Sequence, residues 1–134
     1  MNRRDLLKTG ALAALASPFS MSSAFAADSG PILFGAPNPM SGPFAANGKF
    51  AAMGVELILE ETKTVIGRPL SYKALDTQGK PATAIRQVQD LLEQQHARFF
   101  AGGILSSEAL AMGKTIDKLG GVFVTTAGAD EITG

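Results

Sequence analysis

The sequence predicts an α/β fold: a parallel, doubly wound sheet with helices on both faces. Three observations lead there. Four short apolar runs of strand length recur between residues 31 and 126. Three longer segments with helical period separate them, and glycine, proline and other turn residues mark the junctions. Short strands that alternate with helices of this length argue for βαβ units with right-handed crossovers.

The first strand is "PILFGA" (31–36), and it runs into the turn-rich "PNPMSGP". From Gly48 the period changes. Phe50, Met53, Gly54, Leu57 and Ile58 fall on one helical face, which is expected to point at the core, while Glu56, Glu60 and Lys63 fall elsewhere. "IGRPL" (66–70) breaks this helix. "LSYKALD" (70–76) alternates as a second strand, followed by the turn "TQGK". Pro81 suits the first position of a helix, where its missing N–H is not needed. Ala84, Ile85, Val88, Leu91 and Leu92 form the inner stripe of that second helix. "ARFFAGG" (97–103) is a third strand with Phe99 and Phe100 as its bulk. A third helix begins near Ser107, with Leu110, Met112, Gly113 and Ile116 inward. "GGVFVTT" (120–126) is a fourth strand, and "AGADEITG" a terminal loop.

With 134 residues, 46% hydrophobic and 18% charged, the composition is that of a globular chain with room for one core. Twelve basic and twelve acidic residues leave no basic stripe for nucleic acid. The absence of cysteine excludes a disulfide framework, a thiolate metal site and a lipid-modified cysteine. A single histidine, His96, argues against a histidine-rich metal site. No cofactor or metal is expected.

The first 26 residues read as an export signal rather than as part of the fold. Arg3, Arg4 and Lys8 precede the apolar "ALAALASPF", which is too short to span a membrane. "SSAFAAD" supplies Ala24 and Ala26, an A-x-A pattern with cleavage expected after Ala26. The pair Arg3–Arg4 followed by Asp5, Leu6, Leu7 and Lys8 also resembles a twin-arginine signal. Asn2 and Leu6 depart from that pattern, and a Sec signal is the alternative. Either route exports the protein, with no membrane insertion after cleavage. Removing Arg3, Arg4, Lys8 and Asp5 from twelve of each sign leaves nine basic and eleven acidic residues, a net charge of −2. Residues 27–134 are the expected folded lobe.

In an open α/β sheet, ligands bind beyond the carboxyl ends of the strands. That selects the loops 37–48, 76–80, 103–107 and 125–131. In "GGILSSEAL" (102–110), Ser106 and Ser107 stand where a strand gives way to a helix. Unpaired amides and the positive end of the dipole receive a carboxylate or phosphate there, and the hydroxyls add donors. Taken alone, Ser106 reads first as a helix N-cap, and the neighbouring "TTAG" is what turns the reading toward a ligand. Thr125, Thr126, Ala127 and Gly128 close the next strand and would add acceptors. No dinucleotide fingerprint, phosphate-binding P-loop or nucleophile elbow is present. His96 reads as a surface or capping residue, and Asp76 as a partner for loop amides. Glu60 and Glu61 diverge on a helix. No nucleophile–base arrangement emerges, so an enzyme is the minority reading.

"ILFGAPNPMSGPFAANG", "IGRPLSYKALDTQGKPATAIRQVQDLL", "GGILSSEALA" and "GGVFVTTAGADEIT" together resemble the periplasmic solute-binding proteins of the branched-chain amino acid ABC transporter family. The resemblance implies the first lobe of a type I periplasmic binding protein fold, closing with a second lobe on a small ligand. The chain then reads as an N-terminal portion of a longer protein, with 27–134 an incomplete ligand-binding lobe. The resemblance places Ser106, with Ser107 beside it, at the ligand, and Thr126, Ala127 and Gly128 in the contacting loop after the fourth strand. Asn47 occupies the position of an aromatic lid, so that lid is either absent or replaced by Phe44. Gly128 stands where a threonine holding an amine is common. A carboxylate-bearing ligand, amino acid or organic acid, survives those departures better than an α-amine. The implied partners are that ligand and the membrane permease of an ABC importer. A ligand-sensing module of the same fold is the alternative.

Overall fold

A computed structural model describes residues 30–134; the expected signal, its cleavage point after Ala26 and residues 27–29 lie outside the described residues. The elements are β1 (Ile32–Asn38), α1 (Ala45–Glu61), β2 (Thr64–Val65), β3 (Arg68–Asp76), α2 (Pro81–Gln94), β4 (Phe99–Gly102), α3 (Ser106–Lys118), β5 (Val122–Thr125) and the single turn α4 (Asp130–Thr133). The sheet order is β2-β3-β1-β4-β5. Every neighbouring pair is parallel except β2 with β3. This is the expected parallel α/β architecture, with β1 at its centre.

β1 runs two residues further than expected, through Pro37 to Asn38. Proline normally ends a central strand because it cannot donate to the ladder. Here the carbonyl of Pro37 still accepts the Gly103 amide at 2.8 Å. The missing donor falls where the pairing with β4 is ending, so only one terminal bond is lost.

α2 and α3 cover one face. Leu75, Val88, Leu91, Phe100, Met112 and Ile116 are buried there, with Leu33 and Phe123 packed against them. Each fully buried side chain of this size contributes roughly 2 kcal/mol. Of the expected stripe of α2, Ala84, Val88, Leu91 and Leu92 are buried and Ile85 is half-buried. In β4 the two phenylalanines part company, because successive strand residues face opposite ways. Phe100 is 2% exposed and Phe99 49%.

α1 lies on the opposite face, where burial of the phenol, with the charge of Glu56 adding to it, raises the pKa of Tyr72. Its orientation differs from the expectation. Gly48 and Ala52 are its buried residues, whereas Phe50, Met53, Leu57 and Ile58 are 59–71% exposed. The reason is contact distance. A Cβ at Gly48 would sit 2.1 Å from the carbonyl oxygen of Pro39, so the helix approaches the loop after β1 through its smallest residues. The bulkiest stripe is left outward. The sheet beyond α1 carries an open apolar groove lined by residues including Phe34, Leu70, Phe99, Val122 and Val124.

β2 was not expected. It pairs with β3 through a two-residue turn, Ile66–Gly67, in which both residues have positive φ (49° and 77°). The terminal segment also folds further than a loop, forming α4.

Candidate functional site

The four loops selected from the sequence follow the carboxyl ends of β1, β3, β4 and β5, and hydrogen bonds join them into one rim. The Thr77 amide donates to the Asn38 carbonyl at 3.0 Å, and the Gly103 amide to Pro37. The Thr125 hydroxyl donates to the Gly103 carbonyl at 3.0 Å and accepts the Ala127 amide at 3.1 Å. Asp76 is the clasp of the rim. Its Oδ1 accepts the amides of Met40 (2.9 Å), Ser41 (3.2 Å) and Gln78 (3.0 Å). Burial pushes its pKa up, but the Ser41 hydroxyl and these three amides outweigh burial and hold it below the ordinary carboxylate value. Reading Asp76 as a partner of loop amides therefore matches the geometry.

Ser106 is the first helical residue of α3, and the N-cap position belongs to Leu105, which makes no side-chain cap bond. The capping reading of Ser106 fails on that point. The first amides of α3 with carbonyl partners are those of Glu108 and Ala109, both to Leu105. The amides of Ser106 and Ser107 stand ahead of that first turn, at the positive end of the dipole. Ser106 is half-buried and Ser107 exposed. Two adjacent amides and two hydroxyls are thus presented at the rim, a donor set suited to an anion.

Thr126 and Gly128 are exposed in the loop after β5, and Ala127 is buried with its amide already engaged by Thr125. The Thr125–Gly103 bond brings this loop beside the one that leads into Ser106. Asn47 lies in the first turn of α1 and is exposed; Phe44 immediately precedes that helix and is 44% exposed. No hydrogen bond among the described residues joins Asn47 to Ser106 or to 125–128. Among the described residues no group of three histidine, cysteine or acidic side chains could hold a metal, and no helix is long and apolar enough to cross a membrane.

Three further polar residues sit behind the rim, and the sequence reading passed over them. Asn38, Thr77 and Glu108 are 2%, 0% and 0% exposed. Asn38 Oδ1, Thr77 Oγ1 and both carboxyl oxygens of Glu108 have no hydrogen-bond partner. Burial pushes the Glu108 pKa up; the neighbouring Thr77 hydroxyl opposes this, and the charge of Asp76 adds to it. A signal for Glu108 was present, since it precedes Met112 and Ile116 at helical spacing on the inward stripe.

Residues 31–134 match the family described as periplasmic binding protein. An amino acid ABC transporter substrate-binding protein from Pseudomonas fluorescens is 53% identical, with a TM-score of 0.74, over 78% of this chain and 28% of its own. An ABC transporter substrate-binding protein from Sphaerobacter thermophilus is 30% identical, with a TM-score of 0.72, over 77% of this chain and 28% of its own. A branched-chain amino acid transporter substrate-binding protein from Streptococcus pneumoniae, solved with isoleucine, shares the fold at 21% identity and a TM-score of 0.71, over 77% of this chain and 31% of its own. The chain therefore spans under a third of the length of these structures. Among curated proteins no relative matches.

Proposed function

The chain belongs to the periplasmic binding protein family, with the type I fold, and from that premise we propose that it serves as the exported, non-catalytic binding component of an ABC importer. Its cargo is a small carboxylate-bearing molecule, an amino acid or a related organic acid, and its partner is the importer's membrane permease. The carboxylate sits on the first turn of α3, held by the Ser106 and Ser107 amides and hydroxyls. Thr126, Ala127 and Gly128 line the other side, and Asn47 with Phe44 closes the outer edge. A second lobe completes the cleft.

The observation that carries this reading is the uncommitted first turn of α3. The Ser106 hydroxyl does not cap the helix and donates to no described residue, so it remains for a ligand. The 53%-identical relative, an amino acid ABC transporter substrate-binding protein, supports the transport role.

Calorimetric titration of the full-length protein with the amino acids, benzoate and hydroxybenzoates tests it. One or more carboxylates should bind, and Ser106→Ala should weaken that binding roughly tenfold, the loss expected for one hydrogen bond to a charged group. Binding that ignores Ser106→Ala would remove this residue from the site.

A further inference from the structure

Glu108 is a buried acid without a counter-ion, two residues after Ser106 on the helix that presents the anion-receiving turn. It is fully buried beside the equally buried Thr77 hydroxyl, which favours its ionised form but makes no full hydrogen bond to it and brings no counter-charge. An ionised carboxylate in such a place is costly unless a partner or a proton neutralises it. No cation is among the groups that act on its ionisation. From the end of β3 comes the negative charge of Asp76, and from the turn before α2 the neutral Thr77 hydroxyl. From its own helix comes only the dipole of the first turn, which favours the charged form. An anion on Ser106 and Ser107 would occupy that same dipole end and add a second negative charge nearby.

We propose that Glu108 is a proton-linked positioning residue: it is neutral when an anion occupies the α3 turn, and its ionisation weakens that anion's hold. The inference rests on the ligand reading given under Proposed function. The step balances in charge and atoms: ionised Glu108, one solvent proton and one anion give neutral Glu108 with the anion bound. Affinity for a carboxylate therefore falls as pH rises through the range in which Glu108 ionises. Burial places that range above the ordinary carboxylate value, with Asp76 contributing in the same direction. Glu108→Gln keeps the shape of the neutral acid and cannot ionise, so it should hold the anion equally well across the range.

Two measurements on the full-length protein test this. In the first, urea unfolding of wild type and Glu108→Gln is followed from pH 4 to pH 8 without ligand. An acid whose folded-state pKa is raised binds its proton more tightly in the folded state. Wild-type stability should therefore fall relative to the variant as pH rises. A pH-independent difference overturns the inference whatever the ligand. In the second, L-isoleucine and 4-hydroxybenzoate are titrated calorimetrically over the same pH range in buffers of different ionisation enthalpy. For whichever probe binds, wild-type affinity should drop by up to about tenfold per pH unit with proton uptake, the limit for one linked proton, while the variant stays flat. Parallel profiles with no proton uptake overturn the coupling and leave the ligand reading standing. If neither these probes nor the wider panel binds, the ligand reading fails and the coupling fails with it; the unfolding data then separately show whether Glu108 titrates.

Discussion

The Asp76 carboxylate accepts the Met40 amide at 2.9 Å across 36 positions of sequence, and through Ser41 and Gln78 the same oxygen fastens the loop after β1 to the loop after β3. One side chain at the end of β3 thus sets the shape of the rim. Its role is positional: it holds backbone amides of two loops in place.

Asp76→Asn should lower stability at pH 7 by about 1 kcal/mol, the low end for hydrogen bonds to a charged acceptor because the site is partly solvated. The sign of the pH dependence follows from the lowered pKa. A carboxylate depressed in the folded state contributes fully above its unfolded value, near 3.8, and loses that contribution as pH falls through the folded value. Urea unfolding at pH 7 and below pH 4 should show the wild-type advantage shrinking toward the acid end. A gap that widens in acid would contradict the clasp.

Ser106→Ala separates capping from ligand binding. Loss of an N-cap costs about 1 kcal/mol. Ser106 is the first helical residue and makes no cap bond, so its removal should move the thermal midpoint by less than the error expected of a surface substitution, within about 0.5 kcal/mol. A loss near 1 kcal/mol in the ligand-free protein would restore the capping role.

Gly48 and Gly54 lie in the same helix and should respond oppositely to alanine. At Gly48 the new Cβ would meet the Pro39 carbonyl oxygen at 2.1 Å, a backbone atom that cannot swing aside. Overpacking of this kind costs about 1–3 kcal/mol. At Gly54 nothing lies within 4 Å, so alanine should stabilise the helix by about 0.5–1 kcal/mol. Denaturant midpoints of the two single variants check both the sign and the orientation of α1.

That orientation marks the limit of what the sequence disclosed. Strand–helix alternation, the Pro81 start of α2 and its buried stripe were legible because length, period and turn residues agreed. The face of α1 was not, because apolar periodicity locates a stripe without saying what it meets. Phe50 and Leu57 form the stronger stripe, yet contact with the Pro39 carbonyl is made at Gly48. The extension of β1 through Pro37 was hidden for a related reason: whether a missing amide matters depends on whether the neighbouring strand is still pairing. Of the rim, Asp76 was readable as a strand-ending acid. Glu108 was overlooked because, two residues into a helix, it resembles a solvated first-turn acid until the loop after β3 is brought against it.

Ile66 tests the turn that the sequence concealed. Two-residue hairpin turns with positive φ at both positions favour Asn-Gly or Asp-Gly, and here isoleucine holds the first position at φ 49°. A β-branched residue in the left-handed region costs about 1–2 kcal/mol, whereas asparagine is tolerated there. Ile66 is 84% exposed, so little burial offsets the strain. Ile66→Asn should therefore raise stability by about 1 kcal/mol, read as a higher urea midpoint with an unchanged slope. Ile66→Val keeps the β-branch and should stay at the wild-type value. If asparagine and valine behave alike, relief of backbone strain is not the operative effect, and contact of Ile66 with the apolar groove is the competing explanation.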